Sequence, residues 1–143
     1  MTTIGDLTTE DLEANFEMLG DWEERFAYVI DLGRKLPPLD PADMNEDNRV
    51  HGCQSQVWLK HELTPTDPPR MRFLANCDAH IVNGLIAILM TLFNGKTPRE
   101  VLDGDAEGYL QSLDLEEHLS PTRRNGLHAM LKRIRALAAE HVD

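Results

Sequence analysis

Apolar positions recur at helical spacing near both ends of the chain and alternate in its middle. Trp22, Phe26, Val29, Ile30 and Gly33 share one face of a helix that Asp21 opens as an N-cap, with Glu24 three residues on. Pro37 and Pro38 close it. A shorter helix precedes it, capped at Thr8 or Thr9 and running to about Leu19. Residues 37–48 hold three prolines and almost no periodicity, which reads as a connecting loop. From Arg49 the period becomes two. Val57, Leu59, His61 and Leu63 alternate with Gln56, Trp58, Lys60 and Glu62, and Met71, Phe73 and Ala75 alternate with Arg70, Arg72 and Leu74. Thr64 to Pro69 is the turn between these two strands, and residues 48–51 read as a third, shorter strand joined to the next through Gly52-Cys53-Gln54.

Helical spacing then returns. Asp78 is read as the N-cap of an apolar helix over 79–93, which Asn94-Gly95 ends. Its second half is apolar on nearly every face, the pattern of a central buried helix. Thr97-Pro98-Arg99-Glu100 is a capping box, and Ser120-Pro121 opens a last helix with a stripe of Leu127, Met130, Leu131, Ile134, Leu137 and Ala138. The expected architecture is α+β: helices packed against a small antiparallel sheet of about three strands, in one domain over residues 1–143.

Composition narrows the function classes. The 143 residues carry 14 basic and 25 acidic side chains, net −11, with two cysteines. Binding driven by phosphate neutralisation is disfavoured, so nucleic acid is not an expected partner. Two cysteines do not make a disulfide framework. The longest apolar stretch, Ile81 to Phe93, is interrupted by Asn83, Gly84 and Thr91 and is shorter than the roughly 20 residues of a membrane span. Residues 1–20 show no secretory signal, so a soluble cytoplasmic protein is expected. The charge is uneven: residues 1–47 carry net −10, residues 48–77 net +2 and residues 78–143 net −3. The acidic third is a solvated helix face or a docking surface.

Cys53 is the first candidate for chemistry. It follows Gly52 in a turn and precedes polar Gln54, Ser55 and Gln56, unlike the apolar setting of a structural cysteine. Arg49 and His51 place positive charge nearby and favour the thiolate. Cys77 ends a strand beside the cap Asp78, where a small semi-buried residue suits. A metal site from Cys53, Cys77, Asp78 and His80 is chemically open, since thiolate, carboxylate and imidazole all bind zinc. Residues 118–136 hold five basic residues and no acid, and Arg123, near the helix start, fits a dipole-complementing role least well. There is no CxxC, Gly-rich phosphate loop or Ser-His-Asp pattern.

Val50-His51-Gly52-Cys53-Gln54-Ser55-Gln56-Val57-Trp58 resembles the signature of the SufE/CsdE family of cysteine-desulfurase sulfur acceptors. Three further blocks match in the same order. They are Asn15-Phe16 through Trp22-Glu23-Glu24-Arg25 to Leu32-Gly33, Asp78 to Ala87, and His118 to Leu127. The resemblance implies a fold similar to IscU and a sulfur-shuttle function in Fe–S cluster assembly. Cys53 would take persulfide sulfur from a desulfurase of SufS or CsdA type, stimulate that enzyme, and deliver the sulfur to a scaffold such as SufBCD. The pyridoxal phosphate would belong to the partner, leaving this chain with no intrinsic cofactor and a covalent persulfide as its intermediate. Such a protein is a sulfurtransferase-type carrier rather than a stand-alone enzyme, and the family often forms homodimers.

Asp78 and Arg123 match positions that the family usually fills with Asp and Arg; with Gly52, His51 and Gln54 they are the expected supporting contacts. His51 and Gln54 fall at variable positions, and Cys77 departs from the family's usual serine. Two alternatives stay open: an IscU-like zinc or Fe–S scaffold built on Cys53, Cys77, Asp78 and His80, and a redox-sensing pair of Cys53 and Cys77.

Overall fold

In the computed structural model, residues 8–36, 39–50, 56–77 and 80–142 are described, the side chain of His80 excepted. Helix α1 (Thr9–Met18) starts at Thr8, whose hydroxyl accepts from the Asp11 N–H while the Asp11 carboxylate accepts from the Thr8 N–H. Helix α2 (Trp22–Arg34) is capped by Asp21. The proline-containing connection holds two short 3-10 turns, Pro41–Asp43 and Glu46–Asn48. Several acids of the N-terminal third thus serve as caps, and Asp43 pairs with Lys60 at 3.1 Å.

Strands β1 (Val57–Leu63) and β2 (Met71–Cys77) pair antiparallel, from Val57 opposite Cys77 to Leu63 opposite Met71. Among the described residues the sheet has these two full strands. The third strand expected at 48–51 is reduced to a single bridge between Arg49 and Trp58. Asn48 belongs to a 3-10 turn, and His51 lies outside the described residues. At the opposite strand end Met71 bridges Lys96, so the segment after the next helix also touches the sheet.

Helix α3 (His80–Phe93) is the central element: Leu85, Ile86, Ala87, Ile88, Leu89, Met90 and Phe93 are all buried. Its approach to α2 is unusually close. A Cβ on Gly33 would lie 2.6 Å from the Gly84 backbone nitrogen, and one on Gly84 would overlap the Val29 carbonyl oxygen. Only hydrogen at both positions permits that contact, which explains glycines inside two helices despite their cost to helix stability.

Helices α4 (Pro98–Asp103), α5 (Ala106–Ser112) and α6 (Pro121–Ala139) complete the chain. Thr97 and Glu100 form the expected capping box, and Ser120 caps α6. The whole expected α6 stripe is buried. Glu107 of α5 and Arg135 of α6 form a two-pronged pair at 2.5 and 2.7 Å. One continuous cluster of buried side chains, from Leu12 to Ala138, draws on all the helices named here and on both strands. Among the described residues no helix is long and apolar enough to cross a membrane.

Candidate functional site

Three buried residues meet at one end of the sheet. Val57 opposes Cys77 in the register, and the Val50 N–H donates to the Val57 carbonyl at 2.9 Å. The chain therefore leaves the described residues at Val50 and re-enters at Gln56 beside the same strand end. His51, Gly52, Cys53 and Gln54 all fall in that interval, outside the described residues.

The second gap begins at the same place. Asp78 follows Cys77 directly and lies outside the described residues, so its expected N-cap role is not described either. Asn83 fixes Cys77, the residue before Asp78. The Cys77 N–H donates to Asn83 Oδ1 at 2.8 Å, and Asn83 Nδ2 donates to the Cys77 carbonyl at 2.9 Å. Both polar groups of a strand's last residue are thus satisfied by one amide from the first turns of α3. The Cys77 side chain is buried, with 4% relative exposure for the residue.

Arg123 reaches this end from α6. Its backbone N–H is taken by the Ser120 hydroxyl at 3.3 Å, which fixes it in the helix's first turn. It lines a small cavity of about 40 Å³ together with Val57, Val82, Ile86, Gly126 and Met130. Apart from Arg123 and Thr122 the lining is apolar. Among the described residues no carboxylate pairs with Arg123. A guanidinium beside an apolar recess is a setting that favours a nearby anion such as a thiolate.

The structure therefore brings Cys77, Arg123 and the chain ends flanking Cys53 and Asp78 to one end of the sheet. Of the alternative metal set, only Cys77 has a described side chain; Cys53, Asp78 and the side chain of His80 lie outside the described residues. Sequence reasoning missed Asn83 as a fixing residue. Its signal was a lone amide in an otherwise apolar run, since a half-buried amide requires partners.

The sequence blocks that carry the resemblance also meet in space. Gly33 of the first block touches Gly84 of the third. Trp22 stacks on His118 of the last, with ring centroids 3.9 Å apart and planes 23° from parallel. The Arg25 guanidinium lies 5.1 Å from the Trp22 ring, and its Nε donates to the Phe16 carbonyl at 3.0 Å.

Comparison with known proteins agrees. A family profile described as "SufE: Fe-S metabolism associated domain" matches residues 10–138. The chain belongs to the SufE family. A SufE-like protein of Rhizobium meliloti strain 1021 is 42% identical over 125 residues, covering 87% of this chain and 89% of that one. A SufE-like protein of Rhizobium etli is 44% identical over 122 residues, covering 85% and 82%. The solution structure of a hypothetical protein from Thermus thermophilus superposes with a TM-score of 0.74 at 25% identity, covering 92% of this chain and 93% of that one. The α+β fold and the SufE family, associated with Fe–S metabolism, are thereby shown.

Proposed function

We propose that this SufE-family chain accepts sulfur on Cys53 from the persulfide of a pyridoxal-phosphate-dependent cysteine desulfurase, of SufS or CsdA type, and stimulates that enzyme. The sulfur then passes to an Fe–S assembly scaffold such as SufBCD. The observation that carries the reading is the convergence at one strand end. The flanks of the Cys53 segment, the residue before Asp78, and Arg123 beside its apolar recess all meet there.

The chemistry is an exchange with no net oxidation. The Cys53 thiolate attacks the outer sulfur of the partner's persulfide. A new S–S bond forms on Cys53, the partner's S–S bond breaks, and the partner's thiolate leaves and takes up a proton. Arg123 supplies positive charge for the attacking thiolate and for the persulfide anion it becomes. Asp78, immediately beyond the clamped Cys77, and the neighbours His51, Gly52 and Gln54 orient the segment or the partner. The recess beside Val57 is of a size to take a thiol or persulfide, which would shield it from reductants between donor and acceptor.

The test is desulfurase turnover, read as sulfide release from cysteine, with and without this chain. Stimulation that disappears in Cys53→Ser supports the reading. Unchanged turnover with the wild-type chain across desulfurases of both types overturns it.

A further inference from the structure

A second cluster of ligand-type side chains lies away from the Cys53 end. His61 sits four residues along β1 from Val57, about 13 Å up the strand. There the buried face of the strand opens: Val57 and Leu59 are buried, whereas His61 is half-buried and Leu63 exposed. Helix α6 ends over this opening. Glu140 is its C-cap, and the following His141 N–H donates to the Ala138 carbonyl at 3.0 Å, which fixes the backbone that carries both side chains.

The ring nitrogens of the two histidines face each other. His61 Nε2 and His141 Nε2 are 3.0 Å apart, with ring centroids at 5.2 Å and planes 50° from parallel. In a tetrahedral zinc site with Zn–N near 2.05 Å, two ligand nitrogens are separated by about 3.3 Å. The observed pair is already close to that edge. A carboxylate oxygen of Glu140 completes a triangle in which every ligand atom lies within 4.8 Å of the others. Two residues of this triangle are separated by 80 positions in sequence, so local helix geometry did not create it.

We propose that His61, Glu140 and His141 form a binding site for a first-row divalent cation of the zinc class. Two neutral imidazoles and one carboxylate are a ligand set that zinc accepts, with water in the fourth position. Glu140 offsets part of the cation's charge, against Arg133, whose positive charge also reaches His61. The bound ion would tie the end of α6 to β1 and close a loop of about 80 residues, so it would stabilise the chain as well as occupy the site. This site shares no residue with the Cys53, Cys77, Asp78 and His80 set and does not depend on the sulfur-transfer reading.

The experiment is a Co2+ and Zn2+ titration of the untagged, chelator-treated full chain under reducing conditions, on wild type, His141→Ala and Cys53→Ser. His141 is exposed, so its removal tests ligation with little effect on folding. The expected result is one equivalent bound, with a cobalt spectrum lacking thiolate charge-transfer absorption, and a zinc-dependent rise in Tm. Affinity should fall roughly 100-fold in His141→Ala and stay unchanged in Cys53→Ser. No binding at submillimolar zinc overturns the proposal. So does binding that survives His141→Ala unchanged, or that shows thiolate absorption and is lost in Cys53→Ser.

Discussion

Asn83 holds Cys77 by both of its backbone polar groups, at 2.8 and 2.9 Å, and so locks the end of β2 to the start of α3. Asp78 follows Cys77 directly in sequence, and Val57, opposite Cys77, marks where the chain after the Cys53 segment joins the sheet. One amide therefore sets the relation between two segments of the proposed sulfur site. It also explains why an amide interrupts a helix whose other inward positions are apolar.

Asn83→Ala removes both hydrogen bonds and leaves the Cys77 N–H and carbonyl without these partners. The expected loss of stability is about 2 kcal/mol, read from chemical denaturation midpoints at unchanged m. Asn83→Asp keeps an acceptor for the Cys77 N–H but sets a carboxylate against the Cys77 carbonyl, so it should not restore wild-type stability.

Gly84→Ala drives a methyl group into the Val29 carbonyl oxygen and forces α2 and α3 apart. The expected cost is about 3 kcal/mol. Gly20→Ala meets only the Glu24 carboxylate oxygen at 4.0 Å, and its effect should stay within about 0.5 kcal/mol. Thermal denaturation of the two variants side by side checks the contrast.

Arg123→Ala removes an exposed side chain that has no ion-pair partner among the described residues. Stability should change by less than about 0.5 kcal/mol. Desulfurase stimulation should nonetheless fall, and Arg123→Lys, which retains the charge, should recover part of it. Equal stimulation by wild type and Arg123→Ala would remove Arg123 from the site.

The Arg135 guanidinium, hydrogen-bonded to both carboxylate oxygens, holds Glu107 down at about 2, below its ordinary 4.5. Because the folded-state pKa is depressed, the pair's contribution is present above about pH 4.5 and lost as pH falls toward 2. Both side chains are partly solvated, so the effect is below about 1 kcal/mol. Glu107→Gln should lower stability slightly at pH 7 and flatten the acid limb of the stability profile between those two values.

Much of the fold was legible because its signals are local. Asp21, Thr97 and Ser120 were readable as caps from their own neighbours, the first cap was narrowed to Thr8 or Thr9, and the α6 stripe followed from its 3.6-residue period. Over 48–51, among the described residues, Asn48 lies in a 3-10 turn and Arg49 bridges Trp58, and the reach of that turn depends on contacts the local pattern does not carry. Cys53 and Arg123 stood out by residue type and context, but their relation to Val57 and Asn83 is tertiary. The same holds for His61 and His141, whose contact spans 80 residues and leaves no periodic trace. Gly33 and Gly84 were visible as glycines, yet only the approach of α2 to α3 gives them a reason.

If Cys53 receives sulfur, the intact mass of the chain under non-reducing conditions records the transfer. The chain is incubated with a cysteine desulfurase, its pyridoxal phosphate and cysteine, then weighed alongside Cys53→Ser and Cys77→Ser. The expected result is a gain of one sulfur atom in wild type and in Cys77→Ser, reversed by a thiol reductant, and no gain in Cys53→Ser. A wild-type chain that gains no sulfur, or a gain that persists in Cys53→Ser, rules out Cys53 as the acceptor.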